Sequence, residues 1–111
     1  MKPAGQNIQY KGELKLYLKV YETEQEVLVA VCDEKYLDRE FEEGDIALKV
    51  TKGFYGDKHA SYEEVADALK SATIANLVGE ESVACALEQG IIESDHIIYV
   101  QNVPHAQMVR A

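Results

Sequence analysis

The sequence predicts an α+β domain in which two main helices pack on one face of a small, mostly antiparallel sheet of about four strands. Residues 14–21 alternate apolar and polar side chains, as half-buried strands do, and residues 26–32 are apolar on both faces. Residues 61–72 carry apolar side chains at helical spacing. Because 111 residues is the length of one domain, we expect a flexible arm at residues 1–12 and a single domain at residues 13–111.

The first predicted strand has one apolar face and one mixed face. The apolar face consists of Leu14, Leu16, Leu18 and Val20, and the other face consists of Lys15, Tyr17, Lys19 and Tyr21. Only a short polar connection separates this strand from residues 26–32, so the two strands are predicted to form an antiparallel hairpin. The second strand is predicted to lie inside the sheet because both of its faces are apolar.

The middle of the chain is read as a turn, an acidic connection, a strand and a loop. Residues 33–37 are predicted to form a helical turn capped by Asp33, and residues 39–43 a short acidic connection. Gly44 and Asp45 mark a turn before a third strand at residues 46–51. Residues 53–59 are predicted to be a loop in which two glycines flank Phe54 and Tyr55.

Two helices are predicted in the second half of the chain. The first covers residues 61–72, and Ser61 with Glu64 forms a capping box at its start. The weakly charged run at residues 72–82 keeps helical spacing and is predicted to be helical up to Gly79, although its β-branched residues leave a strand as the alternative. A second helix begins at Glu80 and ends at Gly90, a left-handed cap.

The C-terminal part is predicted to contribute one more strand. Residues 97–100 form a short apolar run that reads as a fourth, buried strand. In the tail at residues 101–111, Pro104 is expected to prevent continued strand pairing because proline lacks a backbone N–H.

Composition and charge limit the function classes. The net charge of −9 argues against broad capture of nucleic acid. No apolar run is long enough to cross a bilayer, and the N-terminus lacks a signal-peptide core, so we expect a cytoplasmic protein. Cys32 and Cys85 lie in apolar contexts without a CxxC spacing and are predicted to be reduced core residues, with a disulfide as the alternative.

Five stretches of the chain resemble a small archaeal family of unknown function, family 424. They are Leu18-Lys19-Val20-Tyr21, Glu26-Val27-Leu28-Val29-Ala30, Phe54-Tyr55-Gly56, Thr73-Ile74-Ala75-Asn76-Leu77-Val78-Gly79 and Val103-Pro104-His105-Ala106-Gln107. The resemblance implies an archaeal, cytoplasmic, single-domain protein and points towards RNA or the translation machinery. It brings no established catalytic residues.

A ligand pocket is the first candidate site. Asn76 is an amide in an apolar run, and it either ties the fold together or lines a pocket beside Gly79, where N–H groups at the start of a helix could hold an anion. His105 suits acid, base or ligand roles but also suits a loop anchor. Tyr55 and Gln107 complete the candidate set. Neither a metal site nor a cofactor is predicted, since no histidine has ligand spacing, and no catalytic triad can be assembled.

The Lys/Tyr face, formed by Lys15, Tyr17, Lys19 and Tyr21, is the second candidate. Aromatic rings between ammonium groups can stack bases and neutralise phosphates, and Lys49 and Lys52 would extend the face if the third strand paired alongside. The alternative is a solvated outer face. Acidic clusters around Glu24 and at residues 40–45 could dock a basic protein.

Three hypotheses of function follow. The leading one is a non-enzymatic binding module linked to translation or RNA metabolism, which acts through a protein partner or through the Lys/Tyr face. The alternative is a small ligand-binding protein or enzyme whose pocket gathers Asn76, His105 and Tyr55. The third is a homodimer that buries one face of the sheet.

Overall fold

A computed structural model describes residues 15–110. The strands are β1 (Leu16–Glu22), β2 (Val27–Asp33), β3 (Arg39–Glu43), β4 (Ile46–Val50), β5 (His59–Ala60), β6 (Ile74–Val78), β7 (Ile98–Val100) and β8 (Val103–Val109). The helices are α1 (Lys52–Tyr55), α2 (Tyr62–Lys70) and α3 (Glu80–Glu88). Within residues 15–110, two 3-10 turns cover Glu34–Tyr36 and Ser94–His96. None of the described helices is long and apolar enough to span a membrane.

Six of the described strands form the main sheet, in the order β5-β1-β2-β6-β8-β7. Neighbouring strands are antiparallel except β2 and β6, which are parallel. The α+β class is therefore confirmed, but the expectation of about four strands is wrong. The third predicted strand is β4, which pairs with β3 in a separate two-stranded sheet. The acidic connection predicted at residues 39–43 is β3 itself.

The two faces of the main sheet carry different layers. On one face, side chains such as Val29 and Leu77 form a buried core with residues of α2 and α3, including Leu69 and Val83. On the other face lies what we call the cover, made of α1 and the β3–β4 hairpin. Side chains of the cover pack with Cys32, Val78 and Val100 of the sheet, which buries one part of that face. The two main helices thus share one face, as predicted.

Several predicted elements are present where local chemistry specified them. The β1–β2 hairpin pairs in the predicted antiparallel sense, with β2 in the sheet interior. At the start of α2, the Ser61 hydroxyl accepts from the Glu64 N–H at 3.1 Å, and the Glu64 carboxylate accepts from the Ser61 N–H at 2.9 Å. After α3, Gly90 has φ 72°, and the Ile91 N–H donates to the Ala86 carbonyl at 2.9 Å.

The helix predicted in the run at residues 72–82 is wrong, because this run forms β6. Its position between β2 and β8 satisfies its backbone groups on both sides, and its first and last residues, Ile74 and Val78, are β-branched. Ala75, Leu77 and Val78 are fully buried, so most of the strand is apolar for the same reason as β2. The short length of the run made it ambiguous, since apolar helix and strand segments of five residues look alike.

The tail prediction is also wrong, since Pro104 lies within β8. The Pro104 carbonyl accepts from the Gly79 N–H at 2.9 Å, beyond the last β6–β8 residue pair, Val78 with His105. The N–H that proline lacks would point to the same side as this carbonyl, towards Gly79, whose own carbonyl already accepts from the Val83 N–H at 3.0 Å, so no partner loses a hydrogen bond. β7, predicted to be buried, is an edge strand in which Tyr99 is 61% exposed.

Two smaller predictions are refined. The predicted loop at residues 53–59 contains most of α1 and the first residue of β5. The predicted turn after Asp33 is the first 3-10 turn, but the Asp33 side chain makes no capping hydrogen bond to it. The expected N-terminal arm, residues 1–12, and Leu14 lie outside the described residues.

Candidate binding surface

The part of the sheet face beyond the cover forms what we call the open strip. Strand register places Asn76 opposite Gln107, Val78 opposite His105 and Ile74 opposite Val109, and it places Ile98 opposite His105 on the next strand. Directly opposite residues project to the same face of a sheet. The open strip consists of Ile74, Asn76, Ile98, His105, Gln107 and Val109. Three of the five candidate pocket residues therefore lie on one surface.

Two side-chain amides form the centre of the open strip. Gln107 Nε2 donates to Asn76 Oδ1 at 3.0 Å, so each amide is held by the other. Within residues 15–110 the Asn76 amide nitrogen and the Gln107 carbonyl oxygen have no further hydrogen-bond partner. Asn76 is half-buried and Gln107 is exposed. The pair thus presents donor and acceptor groups side by side, which is the pattern that a peptide group or a base edge can match.

His105 is held by the backbone of the neighbouring strand. Its Nδ1 lies 3.0 Å from the carbonyl oxygen of Leu77, and because a carbonyl only accepts, Nδ1 carries the proton that is donated. Burial lowers the pKa of His105, and the hydrogen bond to Leu77 opposes this effect only in part. His105 is consequently neutral at pH 7, with the lone pair of Nε2 available as an acceptor.

Apolar side chains border these polar groups. Val109 is 75% exposed and Ile98 is 43% exposed, while Ile74 is half-buried. Tyr99, which is 61% exposed, lies on the same edge of the sheet but projects to the opposite face from Ile98. The open strip therefore combines exposed apolar surface with a few polar groups and contains no charged side chain.

Tyr55 does not join the open strip. It is only 3% exposed and belongs to the buried cluster between the cover and the sheet. α1, which carries it, contacts β1 and β2, whereas the open strip lies on β6, β7 and β8. Burial raises the pKa of the Tyr55 hydroxyl, followed by a smaller effect of Cys32. Tyr55 thus contributes to the packing of the cover.

Gly79 lies at the carboxyl end of β6, where the chain enters α3. Its φ is 112°, and a Cβ atom at this position would lie 2.3 Å from Cγ of Asp33. The Asp33 carboxylate accepts from the Glu81 N–H at 3.0 Å, from the Ser82 N–H at 2.9 Å and from the Ser82 hydroxyl at 2.8 Å. The N–H groups at the N-terminus of α3 therefore bind a carboxylate of the chain itself. This is the position where the sequence suggested that an external anion could bind.

Asp33 is the important residue whose role the sequence did not indicate. It is 4% exposed and follows the apolar residues 27–32, so it stands at the carboxyl end of a buried strand. An acidic residue at that position, with a helix start after a parallel strand, is the signal that would have predicted this cap. Nearby, the Tyr36 hydroxyl donates to both carboxylate oxygens of Glu80 at 3.0 Å.

The tyrosines of the Lys/Tyr face are engaged within the protein. Tyr17 stacks on His59 with ring centroids 4.4 Å apart. Tyr21 donates to the Phe54 carbonyl at 2.7 Å and stacks on the Phe54 ring at 5.8 Å. Lys19 Nζ donates to the Gly53 carbonyl at 3.3 Å.

The remaining lysines do not complete the predicted patch. Lys15 is exposed, but Lys49 lies on β4, which does not pair with β1. Lys52 Nζ is 3.9 Å from the Asp57 carboxylate. Within residues 15–110 no group of three or more His, Cys, Asp or Glu side chains could hold a metal ion.

Comparisons with known proteins agree with the fold. The sequence model of a family described as "Protein of unknown function (DUF424)" matches residues 21–111. The chain is also similar to the crystal structure of an uncharacterized conserved protein from Methanopyrus kandleri, with a TM-score of 0.70 and 23% identity. That similarity covers 86% of this chain and 93% of the other. No curated protein matches.

Proposed function

We propose that this chain, which belongs to the DUF424 family of proteins of unknown function, is a non-enzymatic binding module that docks a protein partner at the open strip. The observation that carries the proposal is the exposed, uncharged surface of the strip, with Val109 and Ile98 beside the Asn76–Gln107 amide pair. The buried parts of protein interfaces are enriched in apolar side chains, depleted of charged ones and crossed by a limited number of hydrogen bonds. The assignment of the partner to translation or RNA metabolism rests on the resemblance of the sequence to its family.

A protein partner is better supported than RNA. The net charge is −9, and the rings of Tyr17 and Tyr21 already stack on His59 and Phe54. Single-strand binders need exposed rings and unpaired cations along the path of the backbone. Lys19, the cation between the two tyrosines, is held by the Gly53 carbonyl. Stacking of a base on Tyr21 would require α1 of the cover to move away from β1.

A small-ligand site is the second candidate, favoured by the common face of Asn76, His105 and Gln107. The Nε2 lone pair of His105 could accept a proton or a hydrogen bond from a ligand, and the amide pair could orient that ligand. Tyr55 has no part in this version, because it is buried under the cover. The second candidate differs from the first in requiring neutral His105 and in tolerating changes at Val109.

Site-specific photo-crosslinking tests the proposal. A photoreactive phenylalanine derivative replaces Gln107 on the open strip or, as a matched control, Glu63 on α2, which is also exposed. After irradiation in an extract of the source organism, we expect one dominant crosslinked protein at position 107, with a role in translation or RNA metabolism, and none at position 63.

Several outcomes would overturn the proposal. Crosslinks to RNA from a probe at Lys19, without a protein at position 107, would support the Lys/Tyr face instead. Turnover of a small molecule that is lost in His105→Ala, with no partner captured, would support the second candidate. A crosslink only between two copies of this chain, together with a dimer in light scattering, would make the open strip a homodimer interface.

A further inference from the structure

The outer edge of β8 is only partly paired. β8 has seven residues, whereas β7, its outer neighbour, has three. The β7 pairing covers Val103, Pro104 and His105 and ends there. The remainder of β8 is paired with β6 on the inner side alone, within the part of the chain that the structure describes. A strand edge of this kind exposes backbone N–H and C=O groups to pairing with another chain.

Two hydrogen bonds define which backbone groups point outward. The Gly79 N–H donates to the Pro104 carbonyl, and the Arg110 N–H donates to the Thr73 carbonyl. Even-numbered residues of β8 therefore face β6, and because the direction alternates along a strand, Gln107 and Val109 direct their N–H and C=O groups away from it. Within residues 15–110 these outward groups have no hydrogen-bond partner. We call them the free edge.

Other edges of the sheet are protected at two places among the described residues. β5 and the Lys58 carbonyl cover the start of β1, where the Leu18 N–H donates to Lys58 at 3.2 Å. After β7, the outward N–H of Gln101 donates to the Glu43 carboxylate at 2.6 Å. Such side-chain caps and short strands are the usual devices against unwanted pairing. The free edge has neither device among the described residues.

Charge around the free edge indicates the chemistry of its occupant. The 3-10 turn Ser94–His96 contacts β8 and carries exposed Asp95, and exposed Glu93 precedes it. Glu43 lies at the far end of β7, and Arg110, a cation, follows β8 directly in the chain. A second copy of this chain would bring two acidic edges and two net charges of −9 together. A basic segment would instead find complementary charge.

We propose that the free edge takes a short, extended, basic peptide segment of the partner as an added strand. The inference rests on the proposed function and names the mode and chemistry of binding. The segment pairs its main chain with the N–H and C=O groups of Gln107 and Val109, and the turn Ser94–His96 limits its length at one end. Its apolar side chains contact exposed Val109, and its cations face Glu93 and Asp95.

Defined peptides test this assignment on the isotope-labelled chain by NMR titration. The probes are an acetylated, amidated Lys-Val-Lys-Val-Lys peptide, its Glu-Val-Glu-Val-Glu counterpart, and the basic peptide with alternate backbone nitrogens methylated. We expect the basic peptide to shift the Gln107 and Val109 amide signals and to slow their hydrogen exchange. The acidic peptide is expected to bind about tenfold more weakly because it loses the attraction between opposite charges. The methylated peptide is expected to bind about tenfold more weakly because it loses backbone hydrogen bonds to the edge.

A matched pair of proline variants separates the free edge from the rest of the sheet. Val109→Pro removes one outward N–H and leaves the β6 pairing intact, because Val109 does not face β6. Val20→Pro does the same on β1, where Leu18 shows that even-numbered residues face outward. We expect Val109→Pro to weaken the basic peptide about tenfold and Val20→Pro to leave its affinity unchanged.

The peptide titrations and the proline variants together decide whether the free edge binds an added strand. Equal binding of the methylated and unmethylated basic peptides, or shifts confined to the β3–β4 hairpin, would overturn strand addition even if Val109→Pro failed to fold. A dimer abolished by Val109→Pro would assign the edge to a second copy and overturn the proposal. If a partner is crosslinked at position 107 but the basic peptide does not bind, the proposed function stands and this inference falls. If the peptide binds the free edge but no partner is captured at position 107, strand addition at this edge is supported and the proposed docking function falls.

Discussion

Replacement of Asp33 by alanine should destabilise the protein strongly. The Asp33 carboxylate is 4% exposed and accepts three hydrogen bonds, two from N–H groups of α3 and one from the hydroxyl of Ser82, which is fully buried. Loss of a helix cap costs about 1 kcal/mol, and buried polar groups left without a partner cost about 1–3 kcal/mol. Removal of a buried charge offsets part of this sum, so we expect a net loss of about 3 kcal/mol in the free energy of unfolding.

Urea denaturation at pH 7 measures this loss, with Asp67→Ala as the matched control. Asp67 has an 80% exposed side chain whose nearest cation is Lys70 at 3.7 Å, so its removal should change the free energy of unfolding by less than about 0.5 kcal/mol. If Asp33→Ala does not fold, Asp33→Asn keeps one acceptor oxygen and should lose about 1–2 kcal/mol. An Asp33→Ala loss no larger than that of the control would refute the capping argument.

Asp33 should also make the free energy of unfolding depend on pH. Burial raises the pKa of Asp33 above its ordinary 3.8, and the hydrogen bonds from Glu81 and Ser82 oppose that rise without cancelling it. The folded state then binds the proton more readily than the unfolded state, so this group stabilises the fold increasingly as the pH falls through its folded-state pKa towards 3.8. The stability difference between wild type and Asp33→Asn should therefore grow on acidification from pH 7.

Three further predictions concern single side chains. Gly79→Ala should cost at least about 2 kcal/mol in urea denaturation, since its φ is 112°, whereas Gly53→Ala, with open space around it, should be nearly neutral. Because burial lowers the pKa of His105, the wild type should lose stability as the pH falls below the ordinary 6.5, and His105→Gln should remove that loss. Burial raises the pKa of Cys32 to about 12 and of Cys85 to about 11, so both thiols should resist iodoacetamide at pH 8 until urea unfolds the chain.

Each of these has a contradicting result. A Gly79→Ala protein as stable as Gly53→Ala would mean that the α3 entry relaxes around an added methyl group. Parallel pH profiles for wild type and His105→Gln between pH 7 and pH 5 would show that His105 has the same pKa in both states. Rapid alkylation of the native protein would place at least one thiol at the surface.

Local chemistry was sufficient for some elements of the fold. The capping box of Ser61 and Glu64 and the left-handed cap at Gly90 are short-range signals that tertiary contacts did not override. The alternation in β1 and the double apolar pattern of β2 gave both strands and their pairing. These signals lie within the segment that they specify, which is why the sequence alone could reveal them.

Elements that depend on a distant neighbour could not be predicted in this way. β6 is a strand because β2 and β8 flank it, although its apolar spacing also fits a helix. β3 is acidic on most positions, and only Phe41, which packs in the cluster under the cover, ties it to the core. Pro104 is tolerated because β6 ends one residue earlier in the register, a fact that no local pattern contains.

Contacts with distant parts of the chain also decided which candidate residues lie together. Asn76, His105 and Gln107 were selected from apolar context and family resemblance, and the strand register places them on one face. Tyr55 was selected from its glycine-flanked loop, but that loop packs its ring against the sheet. The Lys/Tyr face appeared open because the sequence could not show that α1 folds over it.

The position of Asp33 explains why the open strip is the better place to look for function. In sheets with parallel strands followed by helices, ligands usually bind where the parallel strands end and a helix begins. Here that place lies between the ends of β2 and β6 at the start of α3, and the Asp33 carboxylate already takes the N–H groups of Glu81 and Ser82. An external anion would have to displace a buried, hydrogen-bonded carboxylate of the same charge. The surface left for a partner is then the other face of β6 and β8, together with the outer edge of β8. There the Asn76–Gln107 pair and the free edge keep polar groups that have no hydrogen-bond partner within the described chain.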